Sequence, residues 1–220
     1  MKPEAEGNKN IKHEALLVTV VSIAVFMCHM FYLLLGKVDT ERHDIQVDLD
    51  YAIPFVKEFV IPYLMWYVFV IATFMCYLIH EHKDLIEIGI YDIIGLLICC
   101  FIFIVYPTDI TFRPEYVGGS DLCSTLLQGI FNADRPYNVL PSIHCYEATA
   151  VFVGIMHSRY FSRKTWAKVL GAVIMVAIWL STLFVKQHSV VDMAVGIALA
   201  LVLIPVIWIV RRKITEKGCI

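Results

Sequence analysis

Charged residues are scarce in this chain of 220 residues. Asp, Glu, Lys and Arg make up 17% of it, against about 25% in an average soluble domain. The 18 Lys and Arg side chains are outnumbered by 20 Asp and Glu, so the formal net charge is -2. An excess of basic charge, which proteins use to bind the phosphate backbone of nucleic acids, is therefore lacking. The composition excludes nucleic acid as a partner.

The seven cysteines lack the regular spacing of a metal site or a disulfide framework. Their number is odd and no CxxC motif occurs, so the sequence predicts no zinc site and no set of disulfide bonds. A bridge between Cys123 and Cys145 stays open, because both could lie on one side of a membrane. Internal repeats and low-complexity segments are also lacking. We therefore expect a single domain over residues 1–220 and no cofactor.

Long apolar runs are abundant. Hydrophobic residues make up 59% of the chain, and its mean hydropathy is +0.72. A bilayer core about 30 Å thick needs about 20 apolar residues in a helix. The fourth run is the shortest, and Glu147 interrupts it. The pattern predicts an all-α, polytopic membrane protein with a bundle of six transmembrane helices, over residues 15–35, 59–79, 89–106, 143–157, 168–185 and 190–210.

The basic residues are unevenly distributed between the flanks of these six runs. Twelve of the 18 Lys and Arg lie in the N-terminal leader, the second loop, the fourth loop and the C-terminal tail. Cytoplasmic loops carry such an excess. The sequence therefore predicts cytoplasmic termini, with the first, third and fifth loops on the periplasmic, extracellular or lumenal side.

A histidine and an aspartate lie near the outer end of the last run. Asp192 follows His188 by four residues, and it is the only acidic residue between Glu147 and Glu216. Positions i and i+4 share one face of a helix. The pair is either a structural hydrogen bond at a helix end or a dyad. In a dyad the carboxylate orients the imidazole, which acts as base or nucleophile.

A second histidine follows a helix-start signal at the same membrane depth. Ser142 is typical of an N-cap, and the free N–H groups beyond it would favour an anion close to His144. Arg113, in the same outer loop, and Lys186, two residues before His188, are cations that could bind phosphate oxygens. These residues together indicate phosphoryl transfer at a lipid–water boundary, with catalytic motifs over 113–192.

The three segments resemble the signature of the type 2 phosphatidate phosphatase superfamily, which reads K-x6-R-P, P-S-G-H and S-R-x5-H-x3-D. Ser181, His188 and Asp192 keep the spacing of the third part. The second part stands as P-S-x-H, with Ile143 in place of glycine. The resemblance implies a metal-independent enzyme with a phosphohistidine intermediate. It assigns His188 as nucleophile, Asp192 as its orienting carboxylate, His144 as acid and base, and Ser142, Arg113 and Lys186 as ligands of the phosphate oxygens.

The chain departs from this signature in two of its cations. Tyr106 stands where the first part has lysine, and Thr182 stands where the third part has arginine. Lys186 is a hypothetical replacement for that arginine. Arg135, which also precedes a proline, is an alternative to Arg113 as a phosphate ligand.

The leading hypothesis is a phosphatase of a lipid phosphate or pyrophosphate. A phosphotransferase resembling inositol phosphorylceramide or sphingomyelin synthases is the alternative, and a small transporter or scaffold is the non-enzymatic one. In the last case Glu147 and Asp92 would line a path or hold helices, with Glu147 paired to an outer-loop cation. The expected partners are a lipid phosphate substrate and membrane lipids, and homo-oligomerisation stays open.

Two further patterns predict structural roles. The acidic first loop, which includes Asp50, is typical of a solvated surface. Tyr63, Trp66 and Tyr67 at the start of the second run are typical of side chains that anchor a helix at the membrane interface. Trp166 and Trp208 lie near the ends of other runs and are interpreted in the same way.

Overall fold

The computed structural model describes residues 2–35 and 40–216, with side chains from residue 13 onward. It is mostly helical, which confirms the all-α prediction. Two short parallel strands, β1 (His43–Asp44) and β2 (Thr108–Asp109), join the first loop to the third. The helices of the described residues are α1 (Lys2–Leu35), α2 (Asp48–Ala52), α3 (Val60–His80), α4 (His82–Val105), α5 (Leu122–Ala133), α6 (Ile143–His157), α7 (Thr165–Phe184), α8 (Val190–Val202) and α9 (Ile204–Glu216), with a 3-10 turn at Lys57–Phe59.

Five helical segments of the described chain are long and apolar enough to cross a membrane, as expected of an integral membrane protein. The fourth predicted run forms α6, which has 15 residues. At a rise of 1.5 Å per residue it is about 22 Å long, less than the thickness of a bilayer core. The five segments are His13–Leu35, Lys57–His80, His82–Val105, Thr165–Phe184 and Val190–Glu216.

The short helix α6 lies at the centre of the bundle. It packs against α4, α7 and α8, and twelve of its 15 residues are buried. Because protein surrounds it, its side chains meet other side chains on nearly every face. This position explains why its hydropathy is weak: a helix shielded from lipid can carry polar residues that find partners inside the protein.

The third predicted run begins earlier than its hydropathy indicated. The helix α4 starts at His82, seven residues before the predicted start, and includes Asp84 and Glu87. Both carboxylates are buried and form ion pairs with arginines. Arg159 lies between α6 and α7, and Arg211 lies in α9. The helix can begin at these charged residues because each carboxylate has a partner.

This arginine cluster and the predicted site lie at opposite ends of the bundle. The helices α6 and α8 both begin at the site and run toward the end where Arg159 and Arg211 bind the start of α4. The short helix α2 and the strands belong to the site end. The predicted catalytic motifs therefore converge at one end of a bundle that is closed by ion pairs at the other.

Candidate active site

The start of α8 holds the predicted histidine–aspartate pair, with Asp192 in the first turn and His188 just before the N-cap. Ser189 is the N-cap of this helix, and its hydroxyl accepts a hydrogen bond from the N–H of Val191. Nδ1 of His188 lies 2.8 Å from Oδ2 of Asp192. The other carboxylate oxygen, Oδ1, accepts the N–H of Met193 at 2.9 Å. Asp192 is fully buried, so both of its oxygens have defined partners inside the protein.

The first turn of α6 brings the second predicted histidine to the first. Ser142 is the N-cap, and its hydroxyl accepts from the N–H of Cys145. Nδ1 of His144 lies 3.1 Å from Nε2 of His188. The two helix starts are also joined directly, because the Ser142 N–H donates to the carbonyl of Asp192 at 3.0 Å.

A glycine permits this close approach of α6 and α8. A Cβ atom at Gly196 would lie 2.5 Å from the carbonyl oxygen of Ser142, a distance that side chains do not tolerate. The missing side chain thus lets α8 pack against the beginning of α6. The three predicted catalytic residues, His188, Asp192 and His144, come together because two helix N-termini meet here.

Two aromatic residues of α3 complete the surroundings of His144. The Tyr63 hydroxyl lies 2.8 Å from Nε2 of His144, and the Trp66 ring is centred 4.5 Å from the imidazole. Both aromatic side chains are buried, so the prediction of interface anchors is wrong for them. Tyr67, whose ring contacts that of Trp66, is exposed. The three-residue spacing of Tyr63 and Trp66 puts them on one helix face, and it was the sequence signal that could have indicated their common burial.

Arg113 is connected to the histidines through Gln187. Its guanidinium donates to Oε1 of Gln187 and to the carbonyl of Asp134, each at 2.8 Å, and to the carbonyl of Phe131. Burial lowers the pKa of Arg113 from its usual value, and the Asp134 carboxylate acts against this shift. The guanidinium is therefore held beside the segment that carries His188.

Lys186 makes different contacts from those predicted. Its ammonium donates to the carbonyl oxygens of Asp50, at 2.6 Å, and of Ile53. Burial lowers its pKa, and the Asp50 carboxylate raises it. The structure thus joins Lys186 to α2 and does not bring it to the histidines. Thr182, at the position of the family arginine, is buried, and its hydroxyl donates to the carbonyl of Trp179.

The comparison with protein families places these motifs in one segment. Residues 112–216 match the family model of the PAP2 superfamily. This segment belongs to that superfamily. The resemblance to type 2 phosphatidate phosphatases is thereby confirmed, and the match supports an enzyme that acts on phosphate esters. The searches among curated proteins and among solved structures found no significant match to the chain.

Asp50 lies outside the PAP2 segment but supports its last motif. The prediction of a solvated residue is wrong, because Asp50 is buried. Its carboxylate accepts from the Ser189 hydroxyl at 2.7 Å and from the N–H groups of Val190 and Val47, both at 2.8 Å. Asp50 therefore caps the helix that carries Asp192.

Asp134 is another acidic residue near the PAP2 motifs that the sequence did not single out. Burial raises its pKa, while the nearby charges of His188 and Arg113 lower it. The neighbouring Arg135 is exposed and lines a cavity of about 510 Å³ with Tyr137. No described hydrogen bond joins Arg135 to the histidines. Of the two candidate phosphate ligands, Arg113 is the one that the structure connects to the His188 segment.

Glu147, a further polar residue of α6, has a partner from α1. Oε1 of Glu147 lies 2.7 Å from Nε2 of His29, so the expected pairing with an outer-loop cation is wrong. Cys145 is buried against Thr182 in the PAP2 segment, and both Cys145 and Cys123 are free thiols. The bridge between these two cysteines that the sequence left open is therefore not formed.

Proposed function

We propose that this protein is a membrane-bound phosphatase of a lipid phosphate or pyrophosphate, which acts through a phosphohistidine and without a metal ion. The observation that carries the proposal is the buried chain of contacts from Asp192 through His188 to His144. In this order the carboxylate orients the first imidazole, the first imidazole is the nucleophile, and the second imidazole is the acid.

The chain of contacts supports His188 as the nucleophile. A carboxylate only accepts hydrogen bonds, so the proton between Asp192 and His188 belongs to Nδ1 of the imidazole. The opposite nitrogen, Nε2, then has a free electron pair directed at His144. A neutral imidazole whose second nitrogen is held by a buried carboxylate is a competent nucleophile toward phosphorus.

The start of α6 and Arg113 support the binding of the phosphoryl oxygens. Among the described residues, no hydrogen-bond partner exists for the N–H groups of Ile143 and His144. A helix N-terminus with free N–H groups favours an anion. The start of α8 differs, because Asp50 already accepts from Val190. We therefore assign the phosphate to the α6 side, with Ser142 and the Arg113 guanidinium as further donors.

The reaction proceeds in two in-line steps. In the first, Nε2 of His188 forms a bond to phosphorus, the bond from phosphorus to the leaving oxygen breaks, and His144 gives that oxygen a proton. In the second, His144 takes a proton from water, the water oxygen attacks phosphorus, and the bond to His188 breaks. Because transfer of the phosphoryl group depends mostly on position and electrostatics, these residues are sufficient without a metal.

The membrane setting supports a lipid as the substrate. The site lies at one end of the bundle, where the head group of a lipid could reach it while the chains remain in the bilayer. We assign this end to the outer face, because Arg159 and Arg211 occupy the other end and basic residues mark the cytoplasmic side. In this arrangement α6 is the sixth, short helix at membrane depth.

An apolar groove favours a second candidate function, transfer of the phosphoryl group to a lipid alcohol. The groove has a volume of about 520 Å³ and lies between α1 and α3, and Trp66 lines it. The same Trp66 ring contacts His144. An acceptor could thus approach from the lipid, while His144 and His188 are only 4% and 8% exposed.

Assays of the purified full chain in mixed micelles test both functions. Phosphatidate, phosphatidylglycerol phosphate and a polyprenyl pyrophosphate, each labelled in the phosphate, are offered with and without a lipid alcohol. Free phosphate that disappears in His188→Ala supports the phosphatase, and a new labelled lipid supports transfer. His157→Ala, which changes a histidine at the far end of α6, is the matched control.

Two results would contradict the proposal. Activity retained in His188→Ala would remove the phosphohistidine. Release of neither phosphate nor a labelled lipid from any of the three substrates would favour the transporter or scaffold instead.

A further inference from the structure

We propose that Tyr63 is a positioning residue of the reaction: its hydroxyl holds Nε2 of His144, so that Nδ1 is the nitrogen that exchanges a proton with the substrate. This inference rests on the proposed function and deepens it, because it assigns the acid to one atom. Tyr63 lies outside the segment that matches the PAP2 superfamily, and it is not among the site residues predicted from the sequence.

The direction of every hydrogen bond in the chain follows from its carboxylate end. Asp192 accepts from Nδ1 of His188, so Nε2 of that ring has only an electron pair. The contact of 3.1 Å between this Nε2 and Nδ1 of His144 then requires a proton on the latter. A neutral His144 with a proton on Nδ1 has an electron pair on Nε2. The Tyr63 hydroxyl, 2.8 Å away, is the group that donates to it.

Several contacts fix the orientation of the His144 ring and keep its Nε2 at the Tyr63 hydroxyl. Tyr63 is 1% exposed, and its ring is centred 4.7 Å from the imidazole. The contact with His144 is the only hydrogen bond of the Tyr63 hydroxyl among the described residues. The Trp66 ring packs on the same imidazole. Rotation of the imidazole to exchange its nitrogens would break both the bond to Tyr63 and the bond to His188.

A phenol hydroxyl can serve both protonation states of His144, because it donates and accepts. In the neutral ring it donates to Nε2. When His144 takes up a second proton from solvent as the phosphate binds, Nε2 carries a proton and the Tyr63 oxygen accepts it. Nδ1 then gives its proton to the leaving oxygen, and its electron pair later takes a proton from water. The Nε2 proton stays with His144 throughout, so no tyrosinate forms.

This role also defines where the substrate reacts. The nitrogens of His188 and His144 that bond each other are the two that act on phosphorus and on the leaving oxygen. A reacting phosphoryl group therefore displaces the bond between the histidines. Attack distances of 3–3.5 Å and a hydrogen bond to the leaving oxygen require the two nitrogens to be roughly 6 Å apart. During this separation the Tyr63 hydroxyl remains bonded to Nε2, on the opposite side of the His144 ring.

A purely structural role of Tyr63 makes a different prediction. A buried hydroxyl needs a partner, and His144 could simply satisfy it. Removing the hydroxyl would then loosen the site and slow every substrate by a similar factor. A positioning role for the acid instead predicts a loss that depends on the leaving group, because a weakly basic leaving group departs without a proton.

Two lipid-like esters with different leaving groups separate these readings. Dodecyl phosphate releases an alkoxide that needs a proton, and 4-dodecyl-2-nitrophenyl phosphate releases a nitrophenolate that does not. We expect Tyr63→Phe to slow single-turnover release of dodecanol about 100-fold, and release of the nitrophenolate less than about threefold. Tyr146→Phe is the matched control, because it removes another buried hydroxyl, one that donates to the carbonyl of Tyr91. Any loss in this control is expected to be equal for both esters.

If Tyr63→Phe slows the turnover of both esters by the same factor, the inference is overturned. If His188→Ala still abolishes turnover in that case, the proposed function remains intact. Wild-type turnover of neither ester, or full turnover by His188→Ala, would overturn both. If Tyr63→Phe does not fold, the ¹⁵N chemical shifts of the His144 ring in the wild-type chain show which nitrogen carries the proton. The His144 resonances are assigned by their loss in His144→Gln. A proton on Nδ1 supports the inference, and a proton on Nε2 alone overturns it.

Discussion

Replacing Asp192 by asparagine tests the tautomer of His188 directly. The amide has the shape of the carboxylate but only one oxygen. In the native chain Oδ2 accepts from His188, and Oδ1 accepts from the N–H of Met193. Because the Met193 N–H can only donate, the amide oxygen is best placed on that side. The amide NH₂ then faces Nδ1 of His188, which must present its electron pair, and the proton moves to the nucleophilic Nε2.

The magnitude follows from the cost of keeping the reactive tautomer. Turning the amide round restores an acceptor for His188 but sets NH₂ against the buried N–H of Met193, which costs about 1–3 kcal/mol. The bond to His188 also becomes a neutral one, worth about 0.5–1.5 instead of about 1.5–3 kcal/mol, a loss of about 1–1.5 kcal/mol. The sum, about 2–4.5 kcal/mol, corresponds to a loss of about 30- to 2000-fold in kcat, at 1.36 kcal/mol per factor of ten.

Steady-state release of phosphate from the best substrate, with Tm recorded in the same detergent, measures this loss. Asp84→Asn is the matched control, because Asp84 is a buried carboxylate that accepts from Ser158 and Arg159 at the far end of the bundle. It is expected to lower Tm with little change in kcat. A kcat of Asp192→Asn within fivefold of the wild type would refute the reasoning, since the tautomer of His188 would then not depend on Asp192.

Four other perturbations give sharp expectations. Gly196→Ala should reduce kcat by about 100-fold, because the new methyl group separates α8 from the start of α6 and a displacement of 1 Å has an effect of this size; an unchanged kcat would contradict the close packing. Glu87→Ala should lower the free energy of unfolding by about 3 kcal/mol, since Arg211 loses its carboxylate partner and Arg159 keeps only Asp84; chemical denaturation measures this loss, and KM should not change. Arg113→Ala should lower kcat/KM about 100-fold, and Arg135→Ala less than threefold; a larger effect at Arg135 would exchange their roles. Excess chelator should leave turnover unchanged, and a loss restored by a divalent cation would indicate a metal hydrolase.

The three residues of the proposed catalytic site could be predicted because their signals are local. His188 and Asp192 are four residues apart, and this spacing brings their side chains together across the start of α8, although His188 lies just before the N-cap Ser189. His144 follows an N-cap by two residues, and the motif places it at a helix start. Their meeting depends on α6 and α8 beginning at the same end of the bundle, which the order of the apolar runs already implied.

The residues that support this site could not be predicted because their partners are distant in the chain. Asp50 caps a helix 140 residues away, and Tyr63 bonds a histidine 81 residues away. Around Asp50 the sequence is acidic and polar, a pattern that usually indicates solvent. Only the tertiary structure brings the start of α8 to it. Lys186 illustrates the converse, since a cation beside the motif in sequence bonds the carbonyls of α2.

The weak hydropathy of α6 and the chemistry of the site have one cause. A helix that faced lipid could not carry Ser142, His144 and Glu147, because each would lose its hydrogen bonds in hydrocarbon. The surrounding helices α3, α4, α7 and α8 supply packing and several of the partners that α6 needs. This shielding also keeps bulk water from the histidines, where electrostatic contacts are stronger than in solvent. The run that met the criterion for a membrane span least well is therefore the one whose N-terminus carries the proposed phosphoryl-transfer site.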